Sequence, residues 1–281
     1  MNRLVHQLSS RVVRRLRPKR VAFSTHTIQF TSTAGYRIHA RVLIPESSEP
    51  TPAVVLCPGG GQDHEVFFNE VAPIQAEALV QMGIAVLCHD PSGRGQSWGP
   101  EDWGGTEHQD NVVQAVRWLR ENTHFEPSQV GLLSISLGVA SAIGAAKALA
   151  QSDQPVSWVI DWNGPCDQAS ITQNGTQMGP AMGHKPDDLS YWEPREAIRT
   201  VSQIDAGYWR LEVQPDHSST NDLPRVPQAM LDAAQRGNLP WFKLNDHPVG
   251  RIPSRIVWIR PDPGIASRAL RKAVKNAFNR D

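Results

Sequence analysis

Four short apolar runs constrain this chain more than any other feature: AVVLC (53–57), IAVLCHD (84–90), QVGLLSI (129–135) and VSWVID (156–161). A strand with one wet face alternates polar and apolar residues. Runs without that alternation are strands buried on both faces. Between them, residues 68–82, 108–122 and 138–150 carry helical spacing, with Val112, Val113, Ala115, Val116 and Leu119 on one side of the second. Strand and helix in alternation predict a parallel sheet with right-handed crossovers. Upstream, residues 20–31 and 36–44 do alternate and are separated by Ala34-Gly35, which predicts an antiparallel hairpin. Residues 164–206 break the rhythm with Gly, Pro and Met. It resumes with a strand at 207–213, a helix at 224–236 and a strand at 240–244. The fold class is α/β: a mostly parallel, doubly wound sheet with a leading hairpin and an inserted lid at 164–206.

Composition narrows the function. The net charge of zero conceals an acidic middle, with 26 Asp/Glu against 11 Lys/Arg over residues 46–250, between basic ends. A nucleic-acid-binding core would need a basic face, so that class is set aside. Cys57, Cys88 and Cys166 share no metal-ligand spacing and are odd in number, which fits reduced thiols and a cytoplasmic setting. No apolar run is long enough to span a membrane. Residues 1–19 form a basic segment with Val5, Leu8, Val12 and Leu16 on one helical face, read as a docked or frayed helix. A mitochondrial presequence is the alternative. The main domain is drawn over 20–250, with 251–281 as a basic extension whose 267–280 stretch reads as a helix covering the acidic body or a sheet edge.

At 134–138 the sequence Ser-Ile-Ser-Leu-Gly joins a buried strand to a helix. A tight strand-to-helix turn admits only small residues two before and two after its apex, here Ser134 and Gly138, and lifts Ser136 out of the sheet end, where ligands of such sheets bind. That is a nucleophile elbow with Ser134 in place of the first glycine. After the first buried strand, LCPGGGQDHE (56–65) offers backbone N–H groups at Gly60, Gly61 or Gln62, with Leu137 as second donor, for an oxyanion. A phosphate loop is disfavoured, since there is no GK[ST] and two acids follow. The acid of a Ser-His-Asp triad is expected after the strand at 207–213 and the histidine after the strand at 240–244, which selects Asp216 and His247. His217 is the rival base, although a residue adjacent to Asp216 in extended chain points away from it. Asp161 and Asp167 are weaker candidates for the acid. Met178, Met182, Tyr191 and Trp192 are candidate substrate-lining residues in the lid.

The hairpin YRIHARVLIP leading to AVVLCPGGG, the CHDPSGRGQS after the next strand, DNVVQAVRWLREN and SISLGVA together resemble the alpha/beta-hydrolases. Within that fold they are similar to the dienelactone-hydrolase and prolyl-oligopeptidase-like esterases. The resemblance covers residues 20–163 and implies a sheet of about eight strands. It implies a serine hydrolase of carboxylic esters or related acyl bonds, acting on a small molecule without metal or cofactor. It also implies that Asp90, Gly93, Gly95 and Ser97 form a structural turn. A hydrolase-fold protein that binds without turnover, or a peptidase-like acyl hydrolase, is the alternative.

Overall fold

The computed structural model describes residues 20–122, 124–172, 182–183, 187–213, 225–237, 239–254 and 256–280. They form an eight-stranded sheet in the order β1-β2-β4-β3-β5-β6-β7-β8. Strands β1 (Phe23–Thr31) and β2 (Arg37–Pro45) are the antiparallel hairpin, turned at Gly35 with φ +86°. Strand β2 also pairs antiparallel with β4 (Ala85–His89). From β4 onward all pairings are parallel: β3 (Thr51–Cys57), β5 (Phe125–Ile135), β6 (Trp158–Trp162), β7 (Gly207–Leu211) and β8 (Phe242–Leu244). The non-alternating runs are the central strands, and every residue of β4, β6 and β7 is buried.

Apolar layers cover both faces. One holds α2 (Thr106–Arg120), α3 (Gly138–Gln151) and the helix Arg225–Arg236. Helices α2 and α3 touch closely because Gly144 has no side chain; a Cβ there would lie 2.1 Å from the Gln109 side chain. The other face holds α1 (Ala76–Val80) and the helix Pro263–Phe278. That last helix is basic, yet its attachment is apolar. Ala266, Leu270, Ala273, Val274 and Ala277 are buried, and Phe278 meets Trp158 edge to face at 4.9 Å. It packs against the face of β6 and β7.

The expected helix over 68–82 is cut down. A 3-10 turn occupies His64–Phe68, and helix begins only at Ala76. Pro73 lies between them, and a proline inside a helix removes a donor and clashes with the preceding turn. The described part of segment 164–206 contains short helices at Gln168–Thr172, Leu189–Trp192 and Ala197–Thr200. Its anchors are hydrogen bonds from Gln109 Nε2 to the Pro194 carbonyl at 2.7 Å and from Arg195 to Asp102.

Beneath the carboxyl ends of β6 and β7 lies a buried ionic group. Arg210 donates to Asp161 (2.5 Å), to Glu212 and to the Gly164 carbonyl (2.7 Å), while the Tyr208 hydroxyl donates to Asp161 at 3.0 Å. Arg210, Asp161 and Glu212 are all fully buried. Removing one member of a buried pair strands the other charges, at a cost of about 3–5 kcal/mol. Arg210→Met is therefore expected to lower unfolding free energy by about that amount, read from the urea midpoint; a wild-type midpoint would contradict it.

Candidate functional site

Ser136 directly follows the central strand β5 with φ +52°, the left-handed region that non-glycine residues avoid at a cost of about 1–3 kcal/mol. Neighbouring contacts hold it there. Its N–H donates to the Trp162 carbonyl at 3.0 Å, and its carbonyl accepts from the Val139 N–H at 3.1 Å. Gly138 lets α3 start against β3, since a Cβ there would lie 2.4 Å from the Cys57 carbonyl oxygen and 2.7 Å from that of Pro58. Ser134 is fully buried and donates its hydroxyl to the Ile160 carbonyl at 3.4 Å. Of the two hydroxyls at this junction, Ser134 is part of the sheet and Ser136 is partly exposed on the strained turn.

The glycine loop passes beside this turn. A Cβ on Gly59 would lie 3.2 Å from the Ser136 Cβ and 3.3 Å from the Ile135 carbonyl oxygen. Gly59 is buried, Gly60 half-buried and Gly61 exposed with φ +68°. Leu137, directly after the serine, is buried at the start of α3, where the first N–H groups have no partner within the helix. Leu137 clusters with Ile171, Met182 and Trp192 of segment 164–206, and Tyr191 and Trp103 pack against them. Three of the four expected lining residues thus gather over the residue that follows Ser136. Met178 lies outside the described residues.

Segment 214–224, which begins three residues past the end of β7, also lies outside the described residues, and with it Asp216 and His217. His247 stands in the turn after β8. Its N–H donates to the Leu244 carbonyl at 2.9 Å, and its Nε2 accepts from the Val257 N–H at 3.1 Å. Asp161 belongs to the Arg210 group, and Asp167 accepts from Ser170 (2.8 Å) and pairs with Arg225 (2.9 Å). Both weaker acid candidates have structural partners.

A second constellation escaped the sequence reading. Buried Asp90 accepts from the His64 N–H (3.0 Å) and His64 Nδ1 (2.5 Å) on one oxygen, and from the Gln96 N–H (2.8 Å) and His39 Nδ1 (3.1 Å) on the other. These three side chains are the one group of potential metal ligands gathered within 4.8 Å among the described residues. Each carboxylate oxygen already takes two N–H donors, which makes the group a hydrogen-bonded tether between β2, β4 and the glycine loop. Gly95 is obligatory beside it, since a Cβ there would lie 2.3 Å from the carboxylate. The structural turn expected from Asp90, Gly93, Gly95 and Ser97 is thus an anchor for the loop beside Ser136, with Ser97 donating to the Asp90 carbonyl at 2.7 Å. The signal available in sequence was the pair of histidines, His39 and His64, at ends of elements adjoining β4.

Burial alone would raise the Asp90 carboxyl; the hydrogen bonds from His64 and Gln96 reverse this and hold it at about 2. A carboxyl depressed on folding adds stability above its unfolded pKa and loses it as pH falls through the folded value. The shift corresponds to about 2 kcal/mol, lost between about pH 4 and pH 2. Asp90→Asn is expected to be less stable than wild type at pH 7, with the gap closing toward pH 2. Denaturant titrations at both pH values check this, and a gap that does not narrow would count against it.

Comparisons with known proteins give the family and the fold. Residues 34–182 match the family described as X-Pro dipeptidyl-peptidase (S15 family). Over 121 residues the chain is 32% identical to the thiohydrolase aneE of Aspergillus aculeatus, covering 42% of this chain and 36% of that one. The matched stretch is therefore only about a third of that relative's length. Among solved structures it is similar to the esterase Pf2001 of Pyrococcus furiosus, with TM-score 0.66, 14% identity, and 92% of this chain and 91% of that chain covered. It is also similar to a puromycin-hydrolyzing peptidase of Mycobacterium tuberculosis, with TM-score 0.69, 15% identity, and 92% and 39% covered. At these identities the solved structures speak for the fold, which is that of the alpha/beta-hydrolases. With a family match over more than half its length, the chain has the alpha/beta-hydrolase fold and belongs to the X-Pro dipeptidyl-peptidase (S15) family.

Proposed function

We propose that the chain is a serine hydrolase that cleaves carboxylic esters or thioesters through an acyl-enzyme on Ser136. The observation that carries this reading is the left-handed conformation of Ser136 at the end of β5. A strained non-glycine residue there persists only where its surroundings impose it, as at an active-site turn. The base removes the Ser136 hydroxyl proton as the oxygen attacks the acyl carbonyl. N–H groups of Leu137 and of Gly60 or Gly61 stabilise the oxyanion. The proton passes to the departing alcohol or thiol, and water then cleaves the acyl-serine. The thioester enters because the partial match is to a thiohydrolase. The family description favours a second reading, cleavage of a peptide bond after proline.

In this reading His247 is the base and Asp216 its orienting acid. The resting bond from the Val257 N–H to His247 Nε2 has to open before that nitrogen can take a proton. That bond is a specific reason to weigh His217 as the base.

Ser136→Ala is expected to abolish both fluorophosphonate labelling and hydrolysis of short p-nitrophenyl esters and acyl thioesters. Labelling that persists in the variant would place the nucleophile elsewhere and overturn the assignment, whereas its absence from wild type would favour binding without turnover. Faster cleavage of an X-Pro-p-nitroanilide than of any ester would select the peptidase. His247→Ala and His217→Ala, compared side by side, identify the base as the one whose loss lowers kcat by at least about 10³-fold.

A further inference from the structure

Arg94 is nearly buried, and the serine mechanism does not call on it. Its guanidinium is divided between two tasks. Nε and Nη2 form a two-pronged pair with Glu101 at 2.6 and 2.7 Å. Nη1 donates to the carbonyls of Gly59 (2.7 Å) and Gln62 (3.1 Å), the two ends of the glycine loop. Glu101 in turn accepts from the Trp103 N–H at 2.7 Å, and Trp103 packs in the lid cluster over Leu137.

An amide is planar and trans, so its C=O and the following N–H point in opposite directions. Gripping the Gly59 carbonyl therefore fixes the direction of the Gly60 N–H. The Gly59 carbonyl also accepts from the Gln62 N–H at 3.3 Å, closing a turn around Gly60 and Gly61. Two adjacent glycines have unusually free backbones, so without a grip on this carbonyl the plane between Gly59 and Gly60 would sample many directions. Gly59 packs against Ser136, so a rotation here is felt at the elbow.

We propose that Arg94 is a positioning residue for oxyanion stabilisation: by clamping the Gly59 and Gln62 carbonyls it turns the Gly60 N–H toward the acyl oxygen, and Glu101 orients Arg94 for this task. The proposal rests on the Ser136 mechanism above. Its signature is a loss confined to the charged transition state, which lowers kcat and leaves ground-state binding nearly intact.

The test uses Arg94→Ala and Glu101→Gln in the full chain with a p-nitrophenyl ester. Arg94→Ala is expected to lower kcat by about 10²-fold, the scale of one lost oxyanion donor, with KM changed by less than about threefold. Added methylguanidinium should restore part of that kcat and leave wild type unaffected. Glu101→Gln keeps the cation but weakens its orientation, and should lower kcat less, again at near-constant KM. Should Arg94→Ala fail to fold, Glu101→Gln alone decides. Wild-type kcat in either soluble variant, a loss carried by KM, or a loss in Arg94→Ala that methylguanidinium does not restore overturns the proposal. Wild-type protein that does not label at Ser136 overturns the serine mechanism itself and is read separately.

Discussion

Everything at the candidate site depends on how closely the carboxyl ends of β3 and β5 approach each other. The first turn of α3 rests against the carbonyls of Cys57 and Pro58, with Gly138 at the contact. That contact brings the glycine loop beside Ser136, and the Trp162 carbonyl on the other flank completes the support for its left-handed turn. A strained residue needs neighbours that over-determine its position, and here two adjacent strands and a helix supply them.

Around this junction, buried polar groups tie loops to the sheet. Asp90 gathers His39, His64 and Gln96 on one side of the glycine loop, and Arg94 with Glu101 holds its two ends. On the other side the Arg210 group fixes the segment leaving β6 through Asp161 and the Gly164 carbonyl. Buried charge costs free energy unless it is paired and hydrogen-bonded, and each group, besides its local pairs, also bonds a segment distant in sequence. The loops keep their irregular paths because polar side chains are committed to them.

The sheet was legible in the sequence because burial on both faces erases alternation. AVVLC and VSWVID could be recognised without any knowledge of their partners. The elbow was legible because its small residues stand two either side of Ser136. Helix 68–82 was misread because apolar spacing outweighed Pro73, whose effect is local and steric. The Asp90 and Arg94 clamps were not legible as clamps. Arg94 lies 35 residues from Gly59, and nothing in GRGQS indicates which carbonyls its guanidinium will meet. The base was hardest of all. Asp216 and His217 fall outside the described residues, and His247 follows the expected strand with its Nε2 turned to a backbone N–H.

The helix Pro263–Phe278 has a consequence for assembly. It follows every strand in the sequence, yet it closes the face of the sheet where Trp158 and Trp209 are buried. During synthesis the strands become available first and this covering helix last. Until it docks, β6 and β7 present an aromatic face to water, the kind of surface that drives association between partly folded chains. The basic side chains on the outer side of the helix then take on a second value: a nascent chain with an acidic middle and an uncovered apolar face gains its lid and its balancing charge in one docking step.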